Sequence, residues 1–454
     1  MASPRASLGS FLATVKKALL SPPAQRPNPL TFVVGNESAD LDSICSALLL
    51  AYFRTHTPPH TLHVPLANLP RADLALRPEL TAVIAPAGVK PDDLITLTDL
   101  PQDGSLDPHA TRWLLVDHNA LTGELAAKFS DQVIGCIDHH DDEGVIPHSM
   151  PDGQPRLLAK CGSCMSLVFE HCKPTWDRLT AEAQTATTTT SNSVSPATCD
   201  DGTPASQCDT DLARIALAAI LIDTVNLTSR DKTTPCDMRA AALTTSKLSP
   251  LITTTATTTT STTPPALGAF DPAAFHAHLV HLKDSILHLP YRDLLRKDYK
   301  RWAEGPLTLG MSTITRPLRE TLAPCSDSAL PAGAPHPARG RDAFLAALDS
   351  WGREQKLDVL AIMTVAHPPG GGFARELLVW GFTRAGKEVV GGFEGRFGGK
   401  LGLEGWEGGE LDGEGEGWRR VCWRQRGQEF SRKQVGPMLR EVMKEGAARE
   451  EGKL

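Results

Sequence analysis

One short polar stretch, residues 35–43 (GNESADLDS), constrains the fold of this chain more than any other. It lies between an apolar run at residues 30–34 and a second apolar run at residues 44–52. This order predicts a strand, a tight turn and then a helix. The turn carries Asp40 and Asp42, and two aspartates at the C-terminal end of a strand are well placed to hold hard divalent cations against a phosphate. They could equally form an ordinary helix cap, where Asp and Ser are favoured.

Three further apolar segments also end at an aspartate. The polar clusters that follow them are Asp117-His118-Asn119 after residues 113–116, Asp138-His139-His140 after residues 134–137, and Asp223 after residues 215–222. Three of the four segments are short enough to be buried parallel strands, whereas residues 215–222 could be a helix that ends at its aspartate. One such coincidence is common, but four in one chain are hard to explain by helix capping.

The length and charge of the chain narrow the classes of protein that it can belong to. Its 454 residues are too many for one ordinary core and suggest two domains. The formal charge of -7 disfavours nucleic acids and anionic membranes as partners, so any polyanion must meet a local basic patch. We expect no transmembrane helix and no signal peptide.

Cysteine usage is typical of a reducing compartment. The chain has ten cysteines, and Cys161 and Cys164 form the one CxxC pair among them. Without a second pair at zinc spacing, this motif favours a packed loop-to-helix junction over a metal or redox site. We therefore expect a cytoplasmic protein.

Residues 30–180 alternate between strand-like and helical patterns, which predicts an α/β domain with a mostly parallel sheet. The predicted strands are residues 30–34, 62–64, 82–85, 113–116 and 133–137, and the predicted helices are residues 43–55 and 163–172. Right-handed crossovers bring the carboxyl ends of such strands to one edge, where ligands bind in open α/β sheets. The aspartate clusters are therefore expected to meet at that edge.

Two low-complexity segments divide the chain. We interpret residues 185–209 as a disordered insert and the Thr-rich residues 253–265 as a linker. This assigns residues 1–252 to the first domain and residues 266–454 to the second. In the second domain, the patterns predict the following elements: a helix over residues 271–302 that Pro290 kinks or splits, strands at 307–314, 359–365 and 377–382, helices at 342–355 and 434–445, and an exposed loop at 402–417.

The polar clusters of the first domain have the composition of a two-metal site. The four carboxylates and one imidazole that would supply the ligands are those of Asp40, Asp42, Asp117, Asp223 and His139. Mixed oxygen and nitrogen ligands suit Mg²⁺, Mn²⁺ or Co²⁺. Four carboxylates exceed the need of one ion, whereas two ions about 3.5–4 Å apart would use them all and activate a water for hydrolytic phosphoryl transfer.

The remaining residues of the clusters have expected supporting roles. Asp117 is the candidate ligand that bridges the two ions. Asp138 is expected to orient His139 from behind and to fix its tautomer, with Asn119 also in the surrounding layer. His118 and His140 are candidate proton donors or phosphate contacts, and the sequence does not decide between them.

In their order along the chain, the four clusters resemble the motifs of the DHH phosphoesterase superfamily. The chain resembles the branch with a DHHA2 C-terminal domain, which holds family II inorganic pyrophosphatases, prune-type proteins and cytosolic fungal exopolyphosphatases. The resemblance spans nearly the whole chain apart from the Thr-rich segments. It implies an N-terminal parallel-sheet domain, a smaller C-terminal α/β domain, and an active site with two divalent ions in the cleft between them.

Two basic segments of the second domain resemble phosphate-binding motifs of this branch. The resemblance implies that Lys300, at the end of Leu-Arg-Lys-Asp-Tyr-Lys, contacts substrate phosphate. Ser431-Arg432-Lys433-Gln434 resembles a motif that closes over the phosphates. Physically, Arg432 can bind two phosphate oxygens at once and Lys433 adds a point charge. Each segment in isolation could also be a solvated basic turn.

A long anionic substrate also needs a basic track. Lys and Arg side chains are frequent over residues 283–301, and helical spacing would place Arg292 with Arg296 and Lys297 with Arg301, although an ordinary wet helix face has the same appearance. Arg71 and Arg77 resemble family positions near the site, and the resemblance makes Arg71 a candidate substrate contact.

One departure from the pyrophosphatase pattern guides the functional expectation. The pyrophosphatases begin their first motif with a metal-ligating histidine, and here Asn36 takes that position. The resemblance then favours a metal-dependent exopolyphosphatase, with Asn36 as a weaker ligand and a preference for Mg²⁺ over Mn²⁺. The alternatives are a pyrophosphatase, a prune-type short-chain polyphosphatase or a non-catalytic interaction protein. We expect polyphosphate as substrate, no nucleic-acid or membrane partner, and a monomer, although the sequence leaves oligomeric state open.

Overall fold

The computed structural model describes residues 5–101, 104–151, 153–186, 188–190, 193–195, 197–248, 270–325, 336–365 and 373–451. They belong to two compact units, Met1–Lys283 and Asp284–Leu454. The predicted linker at residues 253–265 lies outside the described residues, as do parts of the predicted insert at 185–209. No described helix is both long enough and apolar enough to cross a membrane.

The first unit is built on a six-stranded sheet in the order β3-β2-β1-β4-β5-β6. Its strands are β1 (Leu30–Val34), β2 (His63–Ala67), β3 (Ile95–Thr96), β4 (Thr111–Val116), β5 (Val133–Asp138) and β6 (Arg156–Leu158). Every neighbouring pair is parallel, which confirms the predicted α/β class. All five residues of β1 are buried, because helices cover both faces of a parallel sheet.

Helices surround this sheet and share one apolar core with it. They are α1 (Leu8–Leu20), α2 (Leu41–Thr55), α3 (Pro78–Ile84), α4 (Gly123–Phe129), α5 (Cys164–Ala186), α6 (Ala205–Asp223), α7 (Pro235–Leu248) and α8 (Pro272–Asp284). Asp223 is the last residue of α6, so residues 215–222 are helical. Leu279 of α8 is fully buried in this core, so α8 packs with the first unit although the sequence assigned it to the second domain.

Two predictions for the first unit are wrong. Residues 82–85 are not a strand, because α3 begins with Pro78 at its first position and buries Leu80, Val83 and Ile84 at helical spacing. The predicted disordered insert is partly ordered: β7 (Thr188–Thr190) pairs with β8 (Ser193–Ser195), and α6 already begins at Ala205. The polar composition of that segment concealed the first buried residues of α6, among them Cys208.

The second unit has a mixed sheet in the order β13-β15-β12-β11-β10-β9, with β14 added to β15. Its strands are β9 (Tyr299–Glu304), β10 (Leu307–Ile314), β11 (Val359–Thr364), β12 (Glu376–Gly381), β13 (Leu403–Gly405), β14 (Gly413–Glu414) and β15 (Arg419–Gln425). Its helices are α9 (Tyr291–Lys297), α10 (Leu318–Leu322), α11 (Arg341–Glu354), α12 (Arg384–Leu401) and α13 (Arg432–Glu451). One apolar cluster joins the sheet to α12 and α13, and a second lies on the opposite face with α9 and α11.

The predicted helix over residues 271–302 is divided into α8, which ends at Asp284, and α9, which begins after Pro290, and it does not extend to residue 302. Pro290 precedes α9, and after α9 the chain enters β9. Lys300 and Trp302 of β9 lie opposite Met311 and Leu309 of β10. Lys297 and Arg301 therefore do not share a helix face. The predicted loop at 402–417 likewise contains the short strands β13 and β14.

Candidate metal centre

The turn between β1 and α2 brings the first pair of aspartates to the carboxyl edge of the parallel sheet. A Cβ atom on Gly35 would lie 2.6 Å from Ser43 Cβ, so only glycine permits this close approach. Asp40 Oδ1 accepts a hydrogen bond from the Ser43 N–H at 3.0 Å and caps α2. The capping interpretation is thus correct for Asp40, whose charge also acts on Asp42.

Asp42 is 1% exposed and lies against the start of α5. Its carboxylate accepts hydrogen bonds from the N–H groups of Cys164 at 2.7 Å and Met165 at 2.9 Å. Burial and then the carboxylates of Asp223, Asp117 and Asp40 raise the pKa of Asp42 well above its usual range. Bound cations would remove the repulsion within this group of like charges.

Asp117 follows β4 in the left-handed region of backbone conformation, with φ at 60°. Aspartate is among the few residues other than glycine that adopt this conformation readily. Asp117 Oδ2 accepts hydrogen bonds from the Asn36 amide at 2.8 Å and from the Ser43 hydroxyl at 2.6 Å. Asp117 Oδ1 lies 3.1 Å from His139 Nε2.

The ring of His139 is held in the tautomer that a metal ligand requires. Its Nδ1 lies 3.0 Å from the carbonyl oxygen of Cys161, which can only accept, so Nδ1 carries the proton. In the neutral imidazole, Nε2 then presents a lone pair to Asp117 Oδ1. Two acceptor atoms at this distance repel unless a cation or an added proton lies between them, so the residues fit a metal ion.

The ligand atoms form two groups that share His139. Those of Asp42, His139 and Asp223 lie within 4.8 Å of one another, and so do those of Asp117, Asp138, His139 and His140. The structure therefore brings together four of the five residues predicted as the main metal ligands and leaves Asp40 beside them. Carboxylate oxygens with one imidazole nitrogen are a donor set for Mg²⁺, Mn²⁺ or Co²⁺.

Asp138 contacts the ring of His140 and not the ring of His139. The prediction that Asp138 orients the ring of His139 is therefore wrong. Asp138 Oδ1 lies 2.7 Å from His140 Nδ1, and Oδ2 accepts from the Asn119 amide at 2.6 Å. Burial raises the pKa of Asp138, but the hydrogen bond and charge of His140 outweigh it and lower the pKa to about 2. The Cys161 carbonyl, which no side-chain pattern could reveal, takes the role that we had given to Asp138.

Asn36 also has a different role from the weak ligand that we predicted. Its amide oxygen accepts from the Ser38 N–H at 2.9 Å, and its NH₂ group donates to the carbonyl and the carboxylate of Asp117. The part of Asn36 that faces the site is therefore a donor, and it positions Asp117. His118 lies nearby, with Nδ1 2.9 Å from the Val116 carbonyl oxygen.

The two arginines that the resemblance placed near the site, Arg71 and Arg77, bind the backbone of the first unit. Arg77 is buried and donates to the carbonyl oxygens of Ser38 and Ala39, so it holds the turn that carries Asp40. Arg71 donates to the Leu94 carbonyl at 2.8 Å and pairs with Asp99. This occupied guanidinium argues against the substrate contact that we predicted for Arg71.

The predicted phosphate-binding residues of the second unit lie at the start of α13 and of β9. Ser431 and Gln434 form a capping box, in which Gln434 Oε1 accepts from the Ser431 N–H at 2.9 Å and Ser431 Oγ accepts from the Lys433 N–H at 3.2 Å. Arg432 Nη1 lies 2.7 Å from Asp298 Oδ1, two residues before Lys300. A helix start with two cations suits a phosphate group.

Comparison with known proteins supports the order of the two domains. The model of the DHH family, N-terminal domain, matches residues 31–195, and the model of the DHHA2 domain matches residues 277–442. A solved structure, that of the Methanococcus jannaschii "putative family II inorganic pyrophosphatase", aligns with a TM-score of 0.52 at 18% identity, over 91% of this chain and 99% of that one. At this identity the likeness shows the fold alone.

Similar sequences carry related names. A Schizosaccharomyces pombe protein named "Putative exopolyphosphatase" is 28% identical over 97% of this chain and 100% of its own length. The human protein named "Exopolyphosphatase PRUNE1" is 30% identical over 32% of this chain and 31% of its own length. The rat protein of the same name is 35% identical over 35% of each. With its motifs, its fold and both domain matches in agreement, the chain contains an N-terminal domain of the DHH family followed by a DHHA2 domain.

Proposed function

We propose that this protein is a phosphoric anhydride hydrolase that removes the terminal phosphate of inorganic polyphosphate. The observation that carries the proposal is a pair of adjacent ligand groups at the carboxyl edge of the parallel sheet. One group holds Asp42 and Asp223, the other holds Asp117, and both include His139. The similarity to proteins named exopolyphosphatases supports the same reaction class.

The donor set suits a pair of divalent ions, Mg²⁺, Mn²⁺ or Co²⁺. Such ions would lower the pKa of a bound water and would neutralise charge that develops on the phosphoryl group. In this proposal Asp117 is the shared ligand, and Asn36 and Ser43 fix its orientation through Oδ2. The Cys161 carbonyl keeps the Nε2 lone pair of His139 directed at the same place.

His140 is the better candidate for the group that protonates the leaving oxygen. The ionised Asp138 accepts the Nδ1 proton of His140, so a proton on the opposite nitrogen, Nε2, is the one available for transfer. Asp138 would also stabilise the charged imidazolium form. His118 remains the alternative proton donor.

In the second unit, we propose that Lys300, Arg432 and Lys433 bind substrate phosphate, with Ser431 ordering the start of α13. Arg432 would exchange its pair with Asp298 for phosphate oxygens. A guanidinium can bind two such oxygens, which is a stronger interaction than a single ion pair.

A substrate panel tests the proposal. Phosphate release is measured with pyrophosphate, tripolyphosphate, long-chain polyphosphate and a short oligonucleotide, first with Mg²⁺ and then with Mn²⁺. We expect hydrolysis of the polyphosphates, none of the oligonucleotide, and loss of activity in EDTA that Mg²⁺ restores. Hydrolysis that survives EDTA would dismiss the metal-dependent reaction.

The same panel tests the second candidate, a pyrophosphatase or a prune-type short-chain polyphosphatase. The similarity to proteins named "Exopolyphosphatase PRUNE1" favours the prune-type enzyme, and the asparagine at position 36 opposes a pyrophosphatase. A preference for pyrophosphate over every longer chain would replace our first proposal. Complete inactivity with all substrates and both metals would favour a non-catalytic interaction protein, although the presence of all four motif aspartates opposes that function.

A further inference from the structure

The second unit buries an arginine that the proposed site does not use. Arg375 directly precedes β12 and is 8% exposed. Its Nη1 lies 3.2 Å from the Met363 sulfur, a weak acceptor, and its guanidinium lies 4.8 Å from the centre of the Phe373 ring. Its Nε is buried and makes no hydrogen bond within the described part of the chain.

No counter-ion compensates this burial among the described residues. Burial alone lowers the pKa of Arg375 to about 10, with no acidic group to oppose it. The adjacent Glu376 is engaged elsewhere, because it accepts hydrogen bonds from Trp406 Nε1 and the Leu318 N–H on the other face of the sheet. A buried charge without a partner is costly, and an anionic ligand would offset that cost.

The register of the sheet puts Arg375 on the face and at the end where the other cations lie. Arg375 lies two residues before Leu377 and so falls on the same face of the sheet, the face that packs against α12 and α13. Lys300 is on this face too, because it lies opposite Met311, which belongs to the same apolar cluster as Leu377. The starts of β9 and β12 and the end of β15 meet at one end of the sheet. There, the N–H of Gln425 donates to the Arg375 carbonyl.

Gln425 also connects Arg375 to the start of α13. Its side-chain amide donates to the carbonyl oxygens of Gly427 and Phe430 at 2.6 and 2.7 Å, within the turn that leads into Ser431. Three strand spacings of about 4.8 Å separate β12 from β9, so Arg375 lies about 14 Å from the strand of Lys300. A chain of several phosphates spans that distance, whereas a diphosphate does not.

We propose that Arg375 binds a phosphate of a long polyphosphate chain, distinct from the phosphates bound by Arg432 and Lys433. This subsite rests on the proposed function and extends it to a preference for long chains. The planar guanidinium suits the role because it binds phosphate oxygens in pairs and is less strongly hydrated than an ammonium group.

The test measures binding to the full-length protein in EDTA, where hydrolysis does not contribute, with pyrophosphate and with long-chain polyphosphate. We expect Arg375→Met to weaken polyphosphate binding about tenfold, which corresponds to about 1.4 kcal/mol, and to leave pyrophosphate binding unchanged. Arg375→Lys should restore part of the loss. The matched control is Arg424→Met, because Arg424 lies on neighbouring β15 but is half exposed and pairs with Glu407.

Equal polyphosphate binding by Arg375→Met and the unaltered protein would overturn the proposal, as would an equal loss in Arg424→Met. If Arg375→Met does not fold, hydrogen exchange of the unaltered protein provides a second test. Polyphosphate should slow hydrogen exchange at the start of β12 and pyrophosphate should not, and identical exchange with both would also overturn the subsite. If this binding pattern holds while no polyphosphate is hydrolysed, the subsite stands and the proposed function fails.

Discussion

The two units of this protein present opposite charges at the ends of their sheets, and they do so through different topologies. In the first unit every strand is parallel, so the carboxyl ends of β1, β4 and β5 lead into the acidic site at one edge. In the mixed sheet of the second unit, both strand starts and strand ends lie along one edge. Its cations therefore come from the start of β9 and from residues before β12 and after β15.

The acidic site of the first unit and the basic edge of the second also differ in whether oppositely charged side chains lie beside their charges. Arg432 already has Asp298 as a partner, and Arg296 has Asp293. Asp42 instead faces further carboxylates that raise its pKa. The difference teaches that the acidic site needs added cations or protons to balance its charge, whereas Arg432 and Arg296 of the basic edge already have acidic partners. Four experiments test this contrast.

The largest effect should come from Asp117→Asn. The amide oxygen can keep the hydrogen bonds from Asn36 and Ser43, and the NH₂ group can donate to His139 Nε2. We expect the loss of the shared charge to reduce hydrolysis by about a thousandfold or more. Because the substitution also removes repulsion, the melting temperature in EDTA should rise. Asp131→Asn, at an exposed position, is the control, and an active Asp117→Asn protein would refute the role of this carboxylate.

Metal binding should stabilise the first unit selectively. At about one hundred times its dissociation constant, an ion that binds only the folded state adds about 2.7 kcal/mol of stability. Hydrogen exchange measured with Mg²⁺ and with EDTA should therefore slow in α2 and after β4, and remain unchanged in β12 and β15. The Asp117→Asn protein provides the control and should respond weakly. Equal slowing in both units would remove the contrast between them.

The sequence predicted those parts of this contrast that depend on local pattern. Apolar runs that end at Asp117 and Asp138 are strands, and the run that ends at Asp223 is a helix. Because the carboxyl ends of parallel strands lie at one edge of a sheet, the sequence also predicted that these residues would lie close together. The division of the long predicted helix was also expected, and Pro290 directly precedes α9, although α8 already ends at Asp284.

The remaining features depend on partners far away in the chain. Asn36 donates to Asp117, 81 positions further on, and the His139 ring is set by a backbone carbonyl 22 positions away. No composition rule identifies such partners. Residues 299–302 also carry a helix-like pattern of charges, yet they form β9 because β10 offers Met311 and Leu309 opposite them. Tertiary pairing outweighed local preference there.

Asn36→His should change the metal preference by an intermediate amount. The imidazole replaces a donor to Asp117 with a nitrogen ligand that favours Mn²⁺ and Co²⁺ over Mg²⁺. We expect the ratio of pyrophosphate hydrolysis with Mn²⁺ to that with Mg²⁺ to rise about tenfold, or about 1.4 kcal/mol. Asn36→Ala removes the donor without adding a ligand, so both rates should fall and their ratio should stay constant. An unchanged ratio in Asn36→His would mean that position 36 does not influence metal choice.

The smallest effect is expected from a comparison of two arginines. Arg71 supports the structure of the first unit, whereas Arg432 is proposed to bind substrate in the second. Arg432→Met should raise the KM for tripolyphosphate about fivefold, because a phosphate contact is lost. Arg71→Met should leave KM unchanged and lower the free energy of unfolding by about 1–2 kcal/mol, because the Leu94 carbonyl and Asp99 lose their donor. Steady-state kinetics and urea unfolding of both variants provide the comparison. If Arg71→Met raised KM as much as Arg432→Met, Arg71 would bind substrate after all, and the division into an acidic unit for metal and a basic unit for phosphate would fail.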